Sequence, residues 1–312
     1  MRIARDVEPA GCGRTEGWYK APVLWLGDAM AVGCALAWAC AVLAFRRVEG
    51  VAPAALNLFK NTFSVALLLP TMAVLGLGLD LGRSGEDWGR LIVSGVLGLA
   101  VADTLFLAGL RRVDASVAAL ADCAYAPTVL LLSVLFLGEG VGIGLFVGTP
   151  LVVLGLVIVA WRRREEHRPV DRDGVLLCMA GVMTTAVAVI VAKPVLERSE
   201  LIEATLVRLT AGAVGIGLYE LVAGRGREVL VLFRRHAAHR YALPGAFLGT
   251  YLAMILWLGG MKYGTASRAA LLNQSATVFV LVLSRLGGEV IPARRWLGAA
   301  IAVAGVMVVI GS

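Results

Sequence analysis

Long apolar stretches alternate along the chain with short connectors that carry most of its charge, and none of them shows the period-2 pattern of a half-buried strand. Most reach the roughly 20 residues that a helix needs to cross the hydrocarbon core of a bilayer. Ten spans are predicted, at 23–45, 53–77, 91–110, 115–137, 141–161, 174–195, 203–223, 241–261, 266–284 and 296–311. The last two are short and rely on tilt or a local bilayer fit. Trp25, Trp88, Trp161, Tyr219, Tyr241 and Trp296 fall near span ends, where amphipathic rings prefer the interface. Lipid supplies no water to free backbone groups, so these segments must be helices. The expected fold is an all-α membrane protein.

The pattern repeats. "LFLAGLRRVDASVAAL" from Leu105 and "LWLGGMKYGTASRAAL" from Leu256 are identical at 8 of 16 positions, at an offset of 151. Gly27 and Arg46 match Gly174 and Lys193 at 147, and "LNLFKNT" from Leu56 matches "ATLVRLT" from Ala204 at 148, which sets Lys60 opposite Arg208. Glu139, Gly148 and Gly155 return as Glu289, Gly298 and Gly305 at 150. The unit is thus five helices long, and an odd number of spans makes its two copies enter the membrane from opposite sides. The expected architecture is ten transmembrane helices as two inverted five-helix repeats. Residues 1–22 form a polar tail, 23–161 the first repeat, 162–173 a basic connecting loop and 174–312 the second repeat. Inverted repeats around a midplane site are a hallmark of secondary transporters.

Composition supports a lipid environment: 59% of residues are apolar, 16% are charged and the mean hydropathy is +0.83. Five cysteines are scattered without a C-x-x-C, which implies no disulfide or zinc framework. The first twenty residues mix charges of both signs around no apolar core, so a signal peptide is not expected and the tail should be retained. The net charge of +7 resides in loop arginines, which set topology and meet lipid headgroups; the bilayer is the expected partner and nucleic acid is not. Lys and Arg number 17 on the side of connectors 1–2, 3–4, 5–6, 7–8 and 9–10, against 10 on the other, which alone would put both termini outside. Twenty-five arginines against four lysines, with abundant Ala, Gly and Val, fit a GC-rich prokaryotic genome, hence a multi-pass protein of the cell (inner) membrane. The oligomeric state, a homo-oligomer included, is left open.

Charges inside lipid cost roughly 3 kcal/mol at a helix centre, so each is a candidate for function. Asp103 lies too deep in span three to reach water and is a candidate for a coupling proton or a cationic substrate group; the alternative is a structural partner for a buried hydroxyl or base. Asp122 and Tyr125 share one face of span four with Ala115, Ala119 and Ala126, and the matching part of span nine holds Asn273, Gln274 and Ser275. These two polar stripes either line one cavity or bind helices together. Trp38 and Tyr251 could form aromatic walls or simply pack. Lys60 and Arg208 lie about two turns into their spans. They either anchor helix ends by snorkelling or act as charge partners for Asp103, Asp122 or an anion. Glu139 and Glu289 precede short uncharged helices and read as dipole caps, while the paired glycines read as packing surfaces. His167, His236 and His239 fall in basic loops, and no nucleotide-binding, metalloprotease or nucleophile-elbow motif is present, so no metal, cofactor or catalytic residue is expected. Residues 228–240, apolar then basic, read as an interfacial segment or a solvated loop.

Trp38 in the first span, the basic residue early in the second, the "A-S-x-A-A-L" that opens spans four and nine and the "G-E" that closes each resemble the EamA-type, ten-helix branch of the drug/metabolite transporter superfamily over residues 25–311. The resemblance implies export or exchange of small metabolites, amino acids or drugs by secondary transport, with both termini cytoplasmic. This conflicts with the charge count and leaves orientation open. Departures are Lys60 where the family usually has arginine, Thr277 opposite Pro127 and Thr185 opposite Trp38. The competing reading is a membrane-embedded enzyme or lipid-handling protein that uses the same cavity, for which the loops supply no catalytic pair.

Overall fold

The computed structural model describes residues 16–45, 47–48, 50–110, 112–113, 118, 121–160, 171–234, 236–288 and 290–312. Among them there is no strand. The helices are α1 (Glu16–Phe45), α2 (Pro53–Val74), α3 (Gly85–Gly95), α4 (Asp103–Leu110), α5 (Tyr125–Leu137), α6 (Ile143–Ala160), α7 (Arg172–Arg198) and α8 (Leu201–Val222). They continue with the single turns α9 (Gly226–Val229) and α10 (Val231–Arg234), then α11 (His236–Ala246), α12 (Ala253–Tyr263), α13 (Ala266–Asn273), α14 (Ala276–Leu286) and α15 (Ala293–Ile310). Among the described residues eight helical stretches are long and apolar enough to cross a membrane, and Tyr125–Leu137 is a shorter apolar helix.

Local sequence sets the boundaries. Pro53 starts α2 after an extended Ala52, a position where its missing N–H is harmless. Ser84 accepts a hydrogen bond from the Asp87 N–H, with Glu86 and Asp87 in the first turn, so α3 begins at Gly85, ahead of the expected span. Gly138, at φ 65°, ends α5 in the left-handed conformation. The helix expected from residue 23 already starts at Glu16, and the one expected from 241 starts at His236. His239 therefore belongs to a helix and not to a loop. Residues 228–240 divide among α9, α10 and α11, and the Phe59 ring meets Phe233 at 5.2 Å and His239 at 5.5 Å between centroids. That segment packs on α2.

Small residues bring the helices together. A Cβ added to Gly155 would lie 2.5 Å from the Ala302 nitrogen and from the Gly298 oxygen; one on Gly148 would lie 2.8 Å from the Gly305 oxygen. Gly148 thus faces Gly305 and Gly155 faces Gly298, so α6 and α15, which hold matching sequence positions, cross antiparallel. In the same sense Gly27 meets Gly264 and Gly249 meets Ala41, which lays α1 along α11 and α12. Gly174 meets Arg112 and Val113, and Gly181 meets Ala102 and Phe106, which lays α7 along α4. The first long helix of each sequence repeat packs on the third of the other.

On the face that holds the start of α1 and the end of α15, charged groups tie the connectors together. Arg83 and Glu203 pair at 2.6 Å and are only 4% and 2% exposed at their side chains. The second oxygen of Glu203 accepts the Asp80 N–H at 2.8 Å, and Arg83 also donates to Ser199 Oγ at 3.2 Å. Lys262 donates to the Ser199 carbonyl, and Arg198 pairs with Asp87. Arg268 grips Asp28 with two hydrogen bonds of 2.7 Å. Glu139 does not cap the helix that follows it. Its carboxylate accepts from the N–H groups of Ala266 (2.7 Å) and Ser267 (3.1 Å) and from the Ser267 hydroxyl (2.7 Å), and so caps α13 in the other repeat. A free helix N-terminus lay close by, and its unpaired donors took the carboxylate. Glu289 lies outside the described residues.

Candidate functional site

A cavity of about 270 Å³ opens among α1, α2, the α3–α4 and α11–α12 rods, α7, α8 and the α5 and α13 ends. Its wall is written twice. At the offset of 151, Gly98, Leu99, Ala102, Asp103, Phe106 and Asp122 correspond to Gly249, Thr250, Ala253, Met254, Trp257 and Asn273, and all twelve line it. Cys34 and Trp38 correspond likewise to Gly181 and Thr185, and Lys60 to Arg208. Tyr125, Val182 and Gln274 line it without a repeat mate on the wall.

The backbone is irregular at matching places around this cavity. Val96–Ala102 and Phe247–Leu252 are π-helical, each turn wider than an α-turn, and they join α3 to α4 and α11 to α12. Such wide turns recur at functional sites because they re-aim side chains and leave carbonyls open. Gly95 sits directly against the backbone oxygen of Arg208, which only a residue without Cβ allows. Span nine breaks at Gln274–Ser275, where N–H groups bond three residues back, and span four breaks at the matching Cys123–Ala124. The sequence predicted unbroken helices at both. Discontinuous helices at mid-membrane are where transporters place ligands, since half-helix ends expose unpaired backbone groups.

Charge in the cavity is balanced but unevenly paired. Lys60 Nζ lies 3.5 Å from Asp103 Oδ2 and 5.9 Å from the Trp38 ring centre. Asn57 holds the α3–α4 rod from beside it, donating to the Leu99 carbonyl at 3.0 Å. Arg208 lies over Trp257 at 5.4 Å and is 1% exposed, so it does not snorkel to an interface. Its Nε and Nη1 have no hydrogen-bond partner among the described residues; nor do Tyr125 Oη, Thr250 Oγ1 and Asn273 Oδ1. The Asp122 side chain lines the cavity, and Gln274 donates to the Asp122 backbone carbonyl at 3.1 Å, linking the two broken helices.

Of the residues singled out in the sequence, Asp103, Asp122, Tyr125, Asn273, Gln274, Trp38, Lys60 and Arg208 come together at this cavity. Tyr251 does not: its hydroxyl is 2.8 Å from Thr71 Oγ1 and its ring stacks on Phe247. Sequence reasoning missed Trp257, Thr250, Phe106 and Cys34. Projecting the neighbours of Asp103 through the offset of 151 would have found Trp257 and Thr250. Among the described residues no three His, Cys, Asp or Glu side chains come together as a metal site.

These features define a multi-pass α-helical membrane protein with an internally repeated wall around a cavity that holds Lys60, Asp103, Asp122 and Arg208. Its sequence matches the EamA-like transporter family over residues 25–161 and again over 172–311, and the chain belongs to that family. No curated protein matches it. A solved structure described as "Crystal structure of protein" is similar in fold, with a TM-score of 0.75 and 19% identity over 90% of this chain and 95% of that one.

Proposed function

We propose that the protein is a secondary transporter, built as ten transmembrane helices in two inverted five-helix repeats, which exports small metabolites, amino acids or drugs across a prokaryotic inner membrane by alternating access. The observation that carries this reading is the doubled cavity wall: nine pairs of lining residues stand at repeat-related positions. The antiparallel packing of α6 on α15, with Gly148 on Gly305 and Gly155 on Gly298, supports the inversion. Two halves with matching helices have two matching ways to pack around one site, and substrate and coupling ion select between them by binding one packing better.

Coupling falls to Asp103. A proton on its carboxylate removes the attraction that holds Lys60, 3.5 Å away, and frees one helix of the first half to move against the next. Asp103→Asn is expected to leave a folded protein whose flux in proteoliposomes no longer responds to pH; an unchanged pH response rejects the coupling role. Topology has its own test. In a background without the native cysteines, Gly78→Cys and Arg227→Cys, in equivalent connectors of the two repeats, should label from opposite faces of the membrane, and labelling from one face rejects the inversion. The function itself is tested by comparing the compounds released by cells with and without the gene. A matching release profile for every compound sinks the reading.

A further inference from the structure

Lys60 and Arg208 occupy the same place in the two repeats, yet only one of them has a counter-ion. Lys60 has Asp103 at 3.5 Å. The repeat position of Asp103 is Met254, which lines the same cavity and carries no charge. Arg208 is therefore a buried guanidinium, 1% exposed, with Nε and Nη1 unpartnered among the described residues. Arginine does not escape by losing its proton. The face of Trp257 at 5.4 Å gives a cation–π contact, but a ring face satisfies none of those in-plane donors. An unpaired buried charge is strongly destabilising. The buried arginines that tie connectors together each have an acid against them, Arg268 with Asp28 and Arg83 with Glu203, and Arg208 has none among the described residues.

We infer that Arg208 is the anion-binding residue of the cavity, and that the transported molecule is an organic monoanion whose carboxylate, or a group like it, takes the place opposite Arg208 that Asp103 takes opposite Lys60. The inference rests on the transporter reading and deepens it by naming the substrate class. Shape and charge agree. Trp38, Phe106, Tyr125 and Trp257 give the cavity aromatic walls suited to an apolar or ring-shaped body. With Lys60 already paired to Asp103, the guanidinium of Arg208 is left for one carboxylate, which matches a single negative charge on the ligand. A guanidinium also receives a carboxylate through two parallel hydrogen bonds, so the geometry discriminates as well as the charge.

The probes are phenylacetate, its neutral isostere phenylacetamide and the cation phenethylamine, tested on the purified full-length protein by equilibrium binding of radiolabelled phenylacetate with the other two as competitors. Phenylacetate should bind at least tenfold more tightly than the amide, and the amine should not compete. Arg208→Gln should lose the binding, and Arg208→Lys should weaken it, since a lysine keeps the charge but not the fork. The decisive variant is Met254→Asp, which rebuilds in the second repeat the pair seen in the first. It should fold, melt no lower than the wild type and exclude phenylacetate. An acid that binds no better than its amide or not at all, Arg208→Gln with wild-type binding, or Met254→Asp that still takes the acid, each overturns the assignment. Failure of the transporter reading looks different: it leaves no compound whose release depends on the gene. Release of neutral or cationic compounds alone, unchanged in Arg208→Gln, removes the anion and keeps the transporter.

Discussion

Glu203→Ala should destabilise the protein by about 3–5 kcal/mol, because it leaves the Arg83 guanidinium buried without its acid. The pair is 2.6 Å apart, and both side chains are almost fully enclosed. Arg83 would retain Ser199 Oγ at 3.2 Å and the Trp88 ring at 5.0 Å, neither of which neutralises it, and the Asp80 N–H would lose its acceptor. Replacing both partners, as Arg83→Met with Glu203→Met, removes the unpaired charge together with the pair and should recover most of the loss, since a buried ion pair is itself worth little against apolar packing. Thermal unfolding in detergent of Arg83→Met, Glu203→Met and the double gives the coupling energy directly. A coupling below about 0.5 kcal/mol would mean that the two charges do not depend on each other.

The same pair makes the two faces of the molecule unequal. At the repeat positions of Glu203 and Arg83 stand Ala55 and Arg234, one without charge and the other exposed. The opposite face has an apolar cluster of Phe59, Ala242 and Ala246 instead. In the transport cycle proposed above, a lock that ties this face gives the two packings different energies, even though their helices match. The lock mutations should therefore shift the conformational balance as well as the melting point. In Glu203→Ala, a cysteine placed at Ser267, beneath the Glu139 contact, should become more reactive to a water-soluble thiol reagent than the same cysteine with Glu203 intact.

Much of this was legible in the sequence for a physical reason. In lipid, helices are the only open-chain solution, so apolar length alone predicts elements. Asp103, Lys60 and Arg208 stood out because charge there is expensive. What sequence did not reveal was geometry at the scale of one turn. Nothing in "VLGLAVA" marks a π-helical segment, and nothing in "NQS" says that the helix breaks there; around the first, Gly95 and Gly212 let α8 approach the backbone closely. The partner of Glu139 was hidden because a capping pattern assumes the nearest helix, whereas folding brought Ala266 and Ser267 within reach from 127 residues away. Tyr251 took the other of its two readings, packing, with its hydroxyl on Thr71, a partner 180 residues away that its own span does not announce. The repeat offset was the strongest signal, and it was read at Leu105 and Leu256 without being carried two residues further in towards the cavity to Met254.

Gly155→Ala should be among the most damaging small substitutions in the molecule. The added methyl would sit 2.5 Å from the Ala302 nitrogen, 2.5 Å from the Gly298 oxygen and 2.8 Å from the Ala302 Cβ, so two of the three obstacles are backbone and cannot rotate away. α6 and α15 would have to separate by about an ångström along the seam where Gly148 and Gly305 also meet. Overpacking of this kind costs about 1–3 kcal/mol and occasionally more. In a membrane, water adds nothing to hold the pair together, because association there depends on the close contact being lost. The substitution works against a gain of about 1 kcal/mol in helix propensity, so any net fall is a lower bound on the packing term. Gly217→Ala in α8 supplies that comparison, for nothing lies within 4 Å of its added methyl, and it should melt at or above the wild-type midpoint. If Gly155→Ala melts with Gly217→Ala, then α6 and α15 do not approach as closely as their glycines require. Their reciprocal crossing, on which the proposed inversion of the two halves leans, would then lose its support.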